Sequence, residues 1–60
     1  MEIPQSIFRE LLEYARGMRG RSTETGLIVD LTIIIYAHEE LQDLYTHHII
    51  DIVENILEMI

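Results

Sequence analysis

From Gly26 to Ile60 the chain contains no proline and no second glycine. Those two residues are the strongest punctuation of regular structure, so this stretch holds long elements. Its first part, Leu27–Tyr36 (LIVDLTIIIY), is rich in Val, Ile, Thr and Tyr and suits a strand by propensity. Its periodicity does not. The apolar positions 27, 28, 29, 31, 33, 34 and 35 fail to alternate. There is also no second strand candidate to satisfy the backbone of an isolated one.

Helical periodicity accounts for the stretch better. A 4-3 series runs Leu27, Leu31, Ile34, His38, Leu41, Tyr45, His48, Ile52, Asn55 and Met59. A heptad series, Ile28, Ile35, Gln42, Ile49 and Ile56, flanks it. A polar line through Tyr36, Glu40, Asp43, His47, Asp51, Glu54 and Glu58 keeps the same spacing. All three run from the Ile-rich segment to the C-terminal one without a phase slip. They predict one long helix over about residues 24–59.

Upstream, Ile7, Phe8, Leu11, Leu12, Ala15 and Met18 form one apolar helical face, and Arg9 and Glu13 stand i, i+4 on the other side. Pro4 suits a first helical turn, and Ser6 is a competing N-cap. A short helix is therefore expected over about residues 4–18. Between the helices lies Gly17-Met-Arg-Gly20-Arg-Ser-Thr-Glu-Thr-Gly26. Gly17 or Gly20 can supply a left-handed C-cap, and Ser22, Thr23 or Thr25 an N-cap.

Lengths then set the assembly. A helix over residues 24–59 spans about 54 Å and the short one about 22 Å, so about 30 Å of apolar stripe would be left uncovered. Leu44, Val53, Leu57 and Ile60 widen that stripe. Sixty residues, 48% of them hydrophobic and none cysteine, must be stabilised by something other than disulfides. The expected solution is all-α: a single 1–60 helical hairpin that pairs with a second copy as an antiparallel four-helix bundle. The expected dimer interface is Leu27, Leu31, Ile34, His38, Leu41, Tyr45, His48, Ile52, Ile56 and Met59. An antiparallel pair also sets Arg16, Arg19 and Arg21 near Glu54 and Glu58 of the other copy.

Charge limits the partners. The net charge is −7, and there is no lysine. All four Arg lie within residues 9–21, and residues 22–60 carry eight of the eleven carboxylates with no Lys or Arg. That disfavours nucleic acid, whose phosphates require cations, and favours a basic protein. Glu40, Asp43, Asp51, Glu54 and Glu58 are the expected partner-facing acids. The N-terminus lacks the basic-then-apolar start of a secretory signal, and Leu27–Ala37 is too short to span a membrane. A cytoplasmic protein without membrane association is expected. Ile60 ends inside an apolar pattern with no C-cap, which fits a segment of a longer chain.

Chemistry-bearing patterns are weak. Glu40, Asp43, His47 and Asp51 would share one face of a continuous helix, a spacing that could hold a metal. The same line is what any solvated helix face looks like, and both Glu-x-x-His and His-Glu-x-x-His are absent. His38 and His48 fall in the apolar series, where protonation could act as a pH switch or a hydrogen bond could simply fix them. Asn55 in that series can set register. The Gly/Arg/Ser/Thr joint has the make-up of an anion site but is not a phosphate-binding Walker loop, because Ala15 and Arg21 stand where Gly and Lys are required. Ser6 and Ser22 have no neighbouring base, and neither Cys nor Lys is present. The expectation is a non-enzymatic homodimeric interaction module with no cofactor and no metal. The alternatives are an acidic mimic of nucleic acid that inhibits a basic protein, and a bundle that binds metal through His, Asp and Glu.

Overall fold

The computed structural model describes residues 3–43 and 46–60. Its secondary structure there is entirely helical: α1 (Gln5–Met18), α2 (Glu24–Ala37) and α3 (Thr46–Met59), with a single 3₁₀ turn at Glu39–Leu41. Pro4 opens α1, its carbonyl accepting from the amides of Ile7 and Phe8 at 3.1 Å each. Gly17 stays inside α1, and Gly20 takes the left-handed position at φ 80° that reverses the chain. Thr23 caps α2, its Oγ1 accepting from the Gly26 amide at 3.0 Å. Glu24 in the first turn suits the positive end of that helix.

The single long helix expected over residues 24–59 is two helices. His38 leaves the helical region (φ −91°, ψ 118°), and the chain turns through Glu39–Leu41 before α3 begins. The hairpin is thereby replaced by three helices that pack on one another. The reason lies in the length argument itself. The molecule measures 31 × 20 × 19 Å, far shorter than a helix of about 54 Å. Breaking at His38 lets α3 fold back and cover the stripe that a straight helix would leave in water. Glu39 and Glu40 also gain, since they then sit in the first turn of a new helical segment.

Each helix contributes one inward stripe. Ile7, Leu11 and Ala15 come from α1, Leu27, Leu31 and Ile35 from α2, and Ile49, Ile52, Val53 and Ile56 from α3; Leu41 plugs the turn. The i, i+4, i+8 spacing on α1 and α2 stacks one residue per turn on the buried side. Among the described residues no polar or charged side chain is buried. Two side-chain ties join α1 to α2. The Tyr14 hydroxyl donates to Asp30 Oδ2 at 2.8 Å, and His38 Nε2 lies 3.2 Å from Glu10 Oε1. Moving back along α1 from 14 to 10 moves forward along the chain from 30 to 38, so the two helices are antiparallel.

Leu31 is fully buried. Leu31→Ala should cost about 2–5 kcal/mol. A chain of this size has only about 3–9 kcal/mol in total. The urea midpoint should therefore fall steeply, and an unchanged midpoint contradicts this core. The glycines give a paired check. Nothing lies within 4 Å of a Cβ built on Gly17, so Gly17→Ala should stabilise by about 0.5–1 kcal/mol. Gly20→Ala should destabilise by about 1–2 kcal/mol because its φ is positive.

Candidate interaction surface

The outward faces of the three helices differ in kind. On α1 the exposed side chains include Arg9, Glu10, Glu13 and Arg16, a balanced solvated face. On α3 they include His47, Asp51, Glu54 and Glu58, an acidic ridge with Ile50 set among them and Met59 at its end. On α2, past Glu24 and Thr25 in its first turn, they are Val29, Ile33, Tyr36 and Ala37, with Ile28 at the margin. Ile33 is 61% exposed, Tyr36 52% and Val29 50%. These positions fall opposite Leu27, Leu31 and Ile35 on a 3.6-residue period. A helix that is apolar all round has a second face to bury, and α2 has buried only one. The one charged side chain of α2 after Glu24 is Asp30, and it is turned to Tyr14 of α1. Thr32 adds no unpaired donor to the margin, because its hydroxyl bonds back to the Ile28 carbonyl at 2.8 Å.

The two ends of this face differ in charge: arginines outnumber the one acid, Glu24, at its start, and only acids follow its end. Arg16 lies in the last turn of α1, and Arg19 and Arg21 lie in the loop that leads into α2. Glu39, Glu40 and Asp43 follow its C-terminus, and all six of these side chains are exposed. The loop that resembled an anion site is committed to turn geometry. Thr23 Oγ1 takes the Gly26 amide, and Ser22 Oγ donates to the Thr23 carbonyl at 3.2 Å.

The series expected to face a second copy is split by the break. Leu27, Leu31, Leu41, Ile52 and Ile56 are buried in the chain's own core, and Ile34 packs against it. His38 is half-buried beside Glu10 and His48 is half-buried; Met59 is 53% exposed; Tyr45, like Leu44, lies outside the described residues. Glu40, Asp43, Asp51, Glu54 and Glu58 are all exposed. The metal-spaced set Glu40, Asp43, His47 and Asp51 presupposed one helix, and the turn separates its first two members from α3. No three His, Asp or Glu side chains among the described residues converge on a common point. His47 and His48 stack edge to face, with ring centroids 4.2 Å apart. The face of Val29, Ile33 and Tyr36 was not among the expected sites, although LIVDLTIIIY has more apolar positions than one stripe can use.

Tyr14 has its pKa raised above the ordinary value by the hydrogen bond to Asp30, by partial desolvation and by the carboxylate's charge. No helix among the described residues is long and apolar enough to cross a membrane. No protein family, curated protein or solved structure matches the chain.

A raised tyrosine pKa fixes the sign of a pH effect. The Tyr14–Asp30 tie contributes fully below the unfolded tyrosine value of 10.0 and is lost as pH rises through the higher folded value. Stability should therefore be flat in this contribution near neutrality and fall in alkali. Tyr14→Phe should remove that alkaline loss, and Asp30→Asn should bring the Tyr14 titration back toward the ordinary value. Ultraviolet titration of tyrosinate together with urea midpoints checks both; identical alkaline behaviour in wild type and Tyr14→Phe excludes the linkage.

Proposed function

We propose that this chain is a non-enzymatic helical interaction module that acts as a homodimer, with α2 as the contact face and an acidic surface offered to a basic protein. The observation that carries the reading is the outward face of α2. Ile33, Tyr36 and Val29 are at least half exposed on one face of a helix whose other side is fully packed. Exposed apolar patches on monomers are few, and the largest of them often mark a contact site. A second copy is the favoured occupant, because the face is free of charge while the molecule as a whole carries −7. Two such molecules repel over most of their surfaces, and α2 is where they meet with least repulsion. One helix face about 21 Å long buries on the order of 400 Å² per copy. That belongs with the small, exchangeable interfaces.

The lines of chemistry on the surface support contact over catalysis. The resolved pKa shift sits at a tie between helices, Tyr14 to Asp30, and not in a cleft. The exposed acids of α3, Asp51, Glu54 and Glu58, form the ridge that a basic protein would meet. That contact should weaken with added salt. It should be lost in the combined variant Asp51→Asn, Glu54→Gln, Glu58→Gln, and a captured partner retained by that variant counts against the acidic ridge.

Self-association is tested directly. Sedimentation at micromolar to millimolar concentration should show a reversible monomer–dimer equilibrium. Ile33→Glu should abolish the dimer and leave helical circular dichroism unchanged, because position 33 is 61% exposed in the single chain. A wild type that stays monomeric through this range refutes the dimer, and loss of helicity in Ile33→Glu refutes the separation of core from contact face.

A further inference from the structure

The geometry points to an antiparallel pairing of α2 with α2 of a second copy, latched at both ends by Arg19 and Arg21 of one chain against Glu39 and Glu40 of the other. This rests on the α2 contact face proposed above and adds its direction. The face itself is neutral from Thr25 to Ala37, so contact there does not choose between orientations. The ends do choose. A parallel pair sets the arginines against arginines and the glutamates against glutamates. An antiparallel pair sets opposite signs together twice, related by the two-fold axis.

The dipole of α2 adds an independent argument. Arginines gather at its N-terminal end, where the helix itself is positive, and glutamates follow its C-terminal end, where it is negative. Within one chain, Glu24 in the first turn already suits the N-terminal end, and Glu39 and Glu40 suit the 3₁₀ turn but still follow the negative end of α2. An antiparallel neighbour brings its arginines to that C-terminal end, where the chain has no cation of its own. A parallel neighbour brings only further glutamates there.

The pairing also decides what else the dimer displays. The three helices pack mutually, so α1 and α3 lie on opposite flanks of the α2 face. A two-fold axis that lies in the interface and crosses α2 keeps each flank on its own side. The two α3 ridges, each with Asp51, Glu54 and Glu58, then share one side of the dimer and present a single acidic surface. A parallel pair would alternate α3 with α1 and dilute it with Arg9 and Arg16.

The chain has no native cysteine, which makes cross-linking clean. Setting Arg19 and Arg21 against Glu39 and Glu40 places Thr25 of one copy level with Ala37 of the other and one residue from its Tyr36, which lies on the same flank as Thr25. Thr25 is then roughly 18 Å from its own counterpart. A disulfide needs Cα atoms within about 7 Å. Thr25 and Tyr36 are both exposed, so neither substitution disturbs the core. Under mild oxidation Thr25→Cys alone should stay uncross-linked, and an equimolar mixture of Thr25→Cys and Tyr36→Cys should cross-link. Arg19→Glu with Arg21→Glu should weaken self-association about tenfold at low salt. Adding Glu39→Arg and Glu40→Arg to that variant should restore it. Efficient self-coupling of Thr25→Cys, or a charge-reversed variant that dimerises as tightly as wild type, overturns the antiparallel latch while leaving the α2 contact in place. A monomeric wild type overturns both.

Discussion

The structure depends on covering the inner stripe of α2. Leu31 and Ile35 are fully buried, and no single neighbouring helix could achieve that. α1 has fourteen residues and reaches one side only. The rest is done by Leu41, Ile52 and Ile56, which lie past the break at His38. The break costs a few backbone hydrogen bonds, part of which the turn recovers. The His38 amide bonds to the Ile35 carbonyl at 3.2 Å, and those of Leu41 and Gln42 bond to His38 and Glu39 at 3.1 and 3.2 Å. In return a set of Leu, Ile and Val side chains leaves water, each worth about 1.5–3 kcal/mol. That difference in scale is why the chain folds back instead of running straight.

How much of this was legible follows from the same residues. The helical class was readable, because the phase of the apolar series excludes strands. The bounds of α1 were readable from Pro4, the Ile7–Met18 face and the Gly/Arg joint. The start of α2 was readable from the hydroxyl-bearing residues before it. The break is not legible in the phase, because continuity of phase does not require continuity of the backbone helix. Between Ile35 and Ile49 the inner series is carried by His38, Gln42, Tyr45 and His48, with Leu41 as its main aliphatic member. The spacing persists there while the hydrophobicity lapses. Asp43 and Thr46, both residues that favour helix starts, fall inside the same window. A helix boundary without glycine or proline is written in that lapse.

The break also relocates the exposed apolar surface. With one long helix, the whole inner series faces outward from the hairpin and demands a partner. With three helices, Leu31, Ile52 and Ile56 are satisfied within the chain, and the demand passes to residues that the heptad pattern left over. Val29, Ile33 and Tyr36 belong to that remainder. The surplus of apolar residues in the sequence was real, but its location could be read only once the core was known. Tyr36 illustrates the shift: its spacing sets it on a polar line with Glu40 and Asp43, and the turn after Ala37 separates it from both.

Charge then completes what hydrophobicity leaves open. Apolar contact is nearly blind to direction, and a neutral face such as that of α2 would accept a neighbour in either sense. The arginines are confined to residues 9–21, and the acids Glu39, Glu40 and Asp43 gather at the other end of α2. The chain therefore has an electrical direction along the one face that lacks charge. Exposed pairs of this kind contribute only about 0–1 kcal/mol each, too little to hold two copies together unaided. They need only separate two orientations that apolar contact leaves nearly equal, and about 1.4 kcal/mol between them already gives a tenfold preference. On this argument the segregation of arginine from carboxylate matters for which way a second copy lies, and much less for whether it binds.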